Sequence, residues 1–133
     1  MPDQSDSSAL DRLAEAAKRR EGLSLLLLFG SRARGDAHSG SDWDLGFLAG
    51  PDFDVDGFLA RSISLLGSDR VDLVDLARAS GLLRFRAAGE GRVLAESEPG
   101  RFDRFWFEAV SFWCDAQPIL DAGYRALLER LPS

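Results

Sequence analysis

Two aspartates, Asp42 and Asp44, stand two positions apart in a segment whose pattern predicts a β-strand. Because successive side chains of a strand point to opposite faces, both carboxylates lie on one face, which is the spacing that two acids need to bind a common Mg²⁺ or a pair of ions. The alternate residues Trp43, Leu45 and Phe47 are apolar and form the buried face of the strand. The two acids therefore share a face whether they bind metal or meet solvent, and the alternation does not separate these readings.

A third acid for this chemistry lies in the segment RVDLVDL, which is also predicted to be a strand. Asp72 and Asp75 point to opposite faces of a regular strand, so at most one of them can join Asp42 and Asp44. Asp72 is the better choice because it lies nearer the middle, whereas an acid near the exit is often a turn residue or a helix cap. Such a third acid can help to hold a second ion, roughly 3.5–4 Å from the first, and can accept the proton of an attacking hydroxyl.

The pair Gly30 and Ser31 directly follows a leucine-rich segment whose pattern predicts a buried strand. A Gly-Ser pair lets the backbone turn tightly into a helix, whose free N–H groups and positive dipole end can bind a phosphate. Gly30 would let a triphosphate approach closely, and Ser31 adds a hydroxyl. For an isolated Gly-Ser pair the commoner structure is a plain turn with a serine N-cap, so the acids are what give this pair its significance.

The elements that position these residues follow from hydrophobic periodicity. With 133 residues, 45% of them hydrophobic, the chain is expected to form a single α/β domain, residues 1–133. After a polar tail at residues 1–6, Ser8 and Asp11 predict a capping box that opens an amphipathic helix. The later elements are predicted to be a central strand Leu23–Phe29, a strand Asp42–Leu48, a helix from Val55 to Gly67, a strand Arg70–Leu76, a Gly-rich turn Ala88–Gly91, an edge strand Arg92–Ala95 and a long helical segment 101–131.

The C-terminal segment carries more aromatic residues than one buried stripe uses. Trp106 falls on the predicted buried stripe, whereas Phe107 and Phe112 fall off it and are predicted to be exposed. These two either form a partner surface or are scattered exposed aromatics, and the pattern leaves both readings open. Cys114, the only cysteine, is predicted to be a buried structural thiol.

Composition narrows the classes of function. The net charge of −6 argues against nucleic acid as the main partner, because binding a polyanion depends on Lys and Arg side chains that release counterions. The longest apolar run, Leu25–Phe29, is far shorter than the roughly 18 residues of a membrane-spanning helix, so no membrane association and a soluble, cytoplasmic protein are expected. The sequence contains no Walker-type phosphate loop, which argues against P-loop chemistry.

Two further signals have simpler explanations. Asp52, Asp54 and Asp56 resemble the opening of a calcium-binding loop, but the twelfth position is Ile63, where a bidentate glutamate is required. We interpret these acids as loop residues and a helix N-cap. His38, in the loop between Ser31 and Asp42, could contact a nucleotide or metal, although an exposed loop histidine is the simpler reading.

The run GSRARGDAHSGSDWDL, followed by VDLVDL, resembles the GSxARG…SDxDL signature and third-carboxylate strand of the minimal nucleotidyltransferases of the DNA polymerase β superfamily. This group includes the MNT antitoxins that are paired with HEPN toxins. The resemblance covers residues 23–76, the predicted catalytic core, and is specific as a joint pattern. The resemblance implies a nucleotidyltransferase fold, with a small mixed β-sheet flanked by helices. It also implies that Gly30 and Ser31 lie at the triphosphate and that two Mg²⁺ ions are bound by the catalytic residues Asp42, Asp44 and Asp72.

For the antitoxin group, the resemblance further implies transfer of AMP from ATP onto a tyrosine of a partner HEPN ribonuclease toxin. A phenol, with a pKa near 10, is far easier to deprotonate than a sugar hydroxyl. Arg34, at the arginine of the signature, either contacts phosphate or braces the loop. The alternatives are an antitoxin that neutralises its toxin by binding alone, and a small-molecule enzyme of the aminoglycoside type, which typically has a further helical domain. The complete set of Ser31 and three acids favours the enzyme over binding alone.

Overall fold

The computed structural model describes the backbone of residues 4–35 and 41–129 and the side chains of residues 6–35 and 41–115. Within these ranges the elements are, in order, α1 (Gln4–Lys18), β1 (Leu23–Phe29), α2 (Ser31–Arg34), β2 (Trp43–Ala49), α3 (Val55–Leu66), β3 (Val71–Asp75), α4 (Gly81–Glu90), β4 (Arg92–Glu96) and α5 (Arg101–Glu129). The strands form one sheet in the order β3-β2-β1-β4. Strands β2 and β3 run parallel, whereas β1 is antiparallel to both of its neighbours. The predicted mixed sheet flanked by helices is confirmed, as is the position of β4 at its edge.

The leucine run of β1 explains why this strand lies inside the sheet. Leu26 and Leu28 belong to a core cluster on one face, with residues of α1 and α3, and Leu25 and Leu27 belong to a second cluster on the other face, with residues of α4 and α5. All four leucines are fully buried. A strand that is apolar on both faces has no wet side, so the predicted central strand with helices on both faces is confirmed.

Helix α3 is capped at both ends by residues that the sequence analysis singled out. The Asp54 carboxylate accepts a hydrogen bond of 3.0 Å from the Gly57 N–H, which satisfies one of the helix's first free donors. Gly67 ends the helix with a φ of 64°, a left-handed conformation that glycine adopts without steric cost. The interpretation of Asp54 as a helix cap is confirmed.

Two local predictions are wrong. Helix α1 begins at Gln4, so Ser8 and Asp11 lie inside the helix and do not form a capping box at its start. The predicted turn Ala88–Gly91 largely belongs to helix α4, which runs to Glu90 and whose N-cap Ser80 accepts from the Leu83 N–H. Glycines lower the helix propensity of this segment, but its alanines Ala87 and Ala88 are buried among the β1 leucines, and this packing outweighs the weak propensity.

In the part of helix α5 whose side chains are described, residues 101–115, fewer apolar side chains are buried than the sequence pattern predicted. Phe105 and Ala109 are buried, and Phe107 and Phe112 are 67% and 58% exposed, as predicted. The predictions for Trp106 and Cys114 are wrong, because Trp106 is 44% exposed and Cys114 is exposed. Trp106 is one position from Phe105 and therefore points about 100° around the helix from the buried residues Phe105 and Ala109. No helix in the described part of the chain combines the length and the apolar character that crossing a bilayer requires.

Candidate active site

The three predicted acids come together on the β2–β3 side of the sheet. Asp44 and Asp72 are direct partners in the parallel register of β2 and β3, and Asp42 immediately precedes β2. The parallel register therefore decides which acid of β3 lies beside Asp44. Asp42 and Asp72 are exposed and Asp44 is half-buried, so the cluster opens to solvent.

Asp44 has the least favourable surroundings for an ionised carboxylate in this cluster. Its pKa is raised above the ordinary value, first because burial removes water and then because the negative charges of Asp72 and Asp42 lie close by. Glu90 raises the pKa further, and Arg86 is the group that lowers it. Excess negative charge of this kind is relieved by a cation, so the cluster has the charge and the hard oxygen ligands that a divalent ion prefers.

Gly30 brings the predicted phosphate-binding turn directly against this acid. The last residue of β1, Phe29, pairs with Asp44, and Gly30 follows with a φ of 75°. A Cβ at Gly30 would collide with the Asp44 carboxylate, so only glycine allows the backbone to pass there. Gly30 is also the N-cap of α2 and no side chain caps this helix, so the plain alternative of a Ser31 N-cap is wrong.

A glutamate from α4, which the sequence analysis missed, contacts the same turn. The Gly30 N–H donates a 3.1 Å hydrogen bond to Glu90 Oε2, and Arg34 Nη1 lies 3.0 Å from Glu90 Oε1. Arg86, one helical turn before Glu90, places its Nε 3.8 Å from Glu90 Oε1. The i, i+4 spacing of an arginine and a glutamate was the available signal, but the segment was not recognised as a helix.

Arg32 of helix α2 contacts the residues at the start of strand β2. Its guanidinium stacks over the Trp43 ring at 3.8 Å, donates bonds of 3.2 and 3.0 Å to the Ser41 carbonyl, and lies 3.1 Å from an Asp6 carboxylate oxygen. With its side chain only 10% exposed, Arg32 fixes the start of β2 and thereby the backbone next to Asp42. The sequence analysis also missed this role of Arg32, because a helix of four residues is too short to show a periodic pattern.

The other acid of β3 has a different task. The Asp75 carboxylate accepts a 3.0 Å hydrogen bond from the Ala77 N–H and lies 3.8 Å from Arg78, so it stabilises the turn after the strand. This agrees with the expectation of a turn residue at the strand exit. His38, the loop histidine of the sequence analysis, lies outside the described residues.

The described residues contain no ready-made cluster of three or more acidic, histidine or cysteine side chains that would enclose a metal ion. Mg²⁺ usually keeps several waters and binds through one or two carboxylates together with substrate phosphates. Asp42, Asp44 and Asp72 form a half-open group beside the predicted phosphate-binding turn. This arrangement fits an ion that is bound jointly by carboxylates and substrate phosphates.

Comparisons of sequence agree with this geometry. A family model described as Polymerase beta, Nucleotidyltransferase matches residues 11–99. The chain is also similar to a curated relative, the protein adenylyltransferase MntA of Aphanizomenon flos-aquae (strain 2012/KM1/D3), with 34% identity over 96 residues. That similarity covers 62% of this chain and 63% of the relative, so less than two thirds of the relative's length is matched.

Solved structures share the fold over most of the chain. One is a toxin–antitoxin structure with AMP-PNP, with a TM-score of 0.66 and 27% identity over 90% of this chain and 98% of that chain. A second is the toxin–antitoxin MntA–HepT, with a TM-score of 0.60 and 26% identity over 92% and 99% of the two chains. A third contains a tri-AMPylated Shewanella oneidensis HEPN toxin with MNT antitoxin, and its 24% identity and TM-score of 0.64 over 90% and 98% support the fold alone.

Proposed function

The chain belongs to the polymerase beta nucleotidyltransferase family, and from this we propose that it is a cytoplasmic antitoxin that transfers AMP from ATP onto a tyrosine hydroxyl of a HEPN-family toxin. The observation that carries the proposal is the register of Asp44 with Asp72, with Asp42 close by and the Gly30 turn directly against Asp44. The names of the similar proteins add the substrate class, since one is a protein adenylyltransferase and another is a toxin–antitoxin complex with AMP-PNP.

The nucleotide is bound by the loop that follows β1. Gly30 offers a backbone N–H that points to a carboxylate in this structure, Ser31 supplies a hydroxyl, and Arg34 supplies a guanidinium from the same short helix. A guanidinium and a backbone N–H are typical phosphate ligands. These three groups bind the triphosphate and orient the α-phosphorus towards the acids.

The carboxylates of Asp42, Asp44 and Asp72 would hold two Mg²⁺ ions. The ions, when bound, would neutralise the triphosphate and stabilise the charge that develops on the attacking and leaving oxygens. The raised pKa of Asp44 supports this assignment, because a divalent cation removes the repulsion that Asp72 and Asp42 exert on that carboxylate.

The transfer step uses one of these acids as a base. The tyrosine oxygen of the acceptor attacks the α-phosphorus, the new O–P bond forms, the bond to the β-phosphate oxygen breaks, and pyrophosphate leaves. Asp72 is exposed and stands at the open side of the cluster, so it can accept the phenolic proton as the oxygen attacks. Asp44 is half-buried behind it and would help to hold the metal that positions the nucleotide.

A protein acceptor agrees with the surface of the chain. The net charge of −6 does not suit a nucleic-acid acceptor, whereas Phe107 and Phe112 are exposed large apolar side chains on α5. The same surface would also serve an antitoxin that neutralises by contact alone, so the test must separate transfer from binding.

To test the proposal, the wild type and Asp42→Asn are each incubated with ATP labelled on the α-phosphate, Mg²⁺ and the product of the neighbouring gene, which the proposal expects to be a HEPN-family toxin. We expect label on a tyrosine of the partner with the wild type and none with Asp42→Asn, together with loss of toxin neutralisation by the variant. Full neutralisation by Asp42→Asn would establish contact as the mechanism, and absence of label from the wild-type reaction would refute the transfer reaction.

The two acids of β3 provide a matched pair of variants. We expect Asp72→Asn to lower the transfer rate by roughly 10²- to 10³-fold, because general-base catalysis contributes that much and its proton acceptor is lost. Asp75→Asn removes the same charge from the same strand, and we expect transfer within about two-fold of wild type with a loss of up to ~1 kcal/mol in the free energy of unfolding, because only the turn is weakened. Steady-state transfer rates and thermal melts of both variants check this, and a reversed order of activities would exchange the two roles.

A further inference from the structure

Three groups converge on the carboxylate of Glu90. The Gly30 N–H donates to Oε2 at 3.1 Å, and the guanidinium nitrogens of Arg34 and Arg86 lie 3.0 and 3.8 Å from Oε1. The Glu90 side chain is 22% exposed, so it is largely shielded from solvent. A carboxylate bound by one backbone N–H and two guanidinium groups is in an anion-binding arrangement.

The Glu90 carboxylate also lies near the acid cluster. Glu90 lies close enough to Asp44 to raise its pKa, so it adds a further negative charge to the three clustered aspartates. The positive charge of Arg86 lowers the pKa of Asp44 and so partly offsets the negative charge of Glu90. Three groups bind the Glu90 carboxylate. Two of them, the Gly30 N–H and the Arg34 guanidinium, are assigned above to the triphosphate.

We propose that the Glu90 carboxylate occupies the position of a triphosphate oxygen group, and that Arg86 is a further triphosphate-binding residue. When the nucleotide binds, a phosphate group replaces the Glu90 carboxylate at the Gly30 N–H and the Arg34 guanidinium, and the Glu90 side chain moves away from both groups. Arg86 then contacts the phosphate in place of the Glu90 carboxylate. The inference rests on the proposed function, because it requires that a triphosphate binds at the Gly30 turn.

A competing role for Glu90 would be to brace the loop for the nucleotide. In that case Glu90 and Arg86 both help binding, and loss of either one weakens it. In our proposal the two residues act in opposite directions, since Glu90 competes with the triphosphate while Arg86 binds it. A bracing role predicts that both substitutions raise the Kd, whereas our proposal predicts that the Glu90 substitution lowers it. The sign of the change at Glu90 therefore decides between the two roles.

The test measures the Kd of AMP-PNP with Mg²⁺ by calorimetry for the wild type, Glu90→Gln and Arg86→Gln. The Gln side chain can still accept from the Gly30 N–H but loses the charge that attracts both arginines, so we expect Glu90→Gln to lower Kd by about 3- to 10-fold, as expected when an internal competitor is weakened. We expect Arg86→Gln to raise Kd by about 10-fold, since one charge-assisted contact to phosphate is lost. Thermal melts of all variants verify that they fold.

A surface ion pair away from the site provides the charge control. Glu98 and Arg104 lie 2.9 Å apart, with side chains 62% and 55% exposed. Glu98→Gln and Arg104→Gln make the same charge changes, and we expect Kd values within about two-fold of wild type, since exposed charges beyond a Debye length are screened.

The outcomes separate this inference from the function on which it rests. Wild-type protein that binds no AMP-PNP would overturn both. Wild-type protein that binds AMP-PNP and labels its partner, with a Kd that Glu90→Gln raises or leaves unchanged, would overturn the role of Glu90 alone. A Kd unchanged in Arg86→Gln would likewise remove Arg86 from the triphosphate site, with the proposed function intact.

Discussion

Asp44→Asn is expected to lower AMP transfer by about 10³-fold, because the loss of one metal-binding carboxylate removes several kcal/mol of transition-state stabilisation. The same substitution is expected to stabilise the metal-free protein slightly. In the folded state Asp44 is half-buried and repelled by Asp72 and Asp42, which raise its pKa, so the ionised form is less favourable there than in the unfolded chain. Asn has a similar shape and no charge. Transfer rates and thermal melts in the absence of Mg²⁺ measure both effects.

The gain in stability has a defined pH dependence. Because the folded-state pKa of Asp44 lies above its ordinary value of 3.8, the cost of its charge is fully present above the folded-state pKa. That cost decreases as pH falls through the raised pKa and disappears below 3.8, where the group is protonated in both states. The variant should therefore melt above the wild type at neutral pH, and the difference should shrink in acid. A variant that melts below the wild type at neutral pH would show that Asp44 supports the fold and not the site.

Gly30→Ala is expected to impair both the nucleotide site and the fold. A φ of 75° costs an L-residue roughly 1–2 kcal/mol, and the new Cβ would also collide with the Asp44 carboxylate. Relief of that collision displaces either the acid or the turn that we propose to bind the triphosphate. A misplacement of about 1 Å can cost roughly 10²-fold in rate, so we expect a loss of transfer of at least that size.

Gly67 provides the matched control for backbone strain. It also has a positive φ, 64°, but no described atom lies within 4 Å of the position that a Cβ would take. Gly67→Ala should therefore show a similar loss of unfolding free energy, of roughly 1–2 kcal/mol, with transfer rates close to wild type. Equal losses of transfer in the two variants would mean that general destabilisation, and not the contact between Gly30 and Asp44, explains the effect.

Several features of this protein follow from the sequence alone, because they depend on local periodicity and on the chemistry of single positions. The bounds of β1, its position inside the sheet and the Asp54 cap of α3 belong to this group. So does the proximity of Asp42 to Asp44, since the two acids are only two positions apart in the chain. The signature that leads from Gly30 to Asp44 is also contiguous in the chain, which is why the family could be recognised without coordinates.

The tertiary structure alone determines which residues from distant parts of the chain contact this site. The partnership of Asp44 with Asp72 depends on the parallel register of two strands, and the contact of Glu90 with Gly30 joins residues 60 positions apart. Neither is encoded in a local period, because each is set by the packing of separate elements on the sheet. The same reason explains the two wrong predictions on α5, since the sequence period shows which residues share a helical face but not how much of that face the neighbouring elements cover.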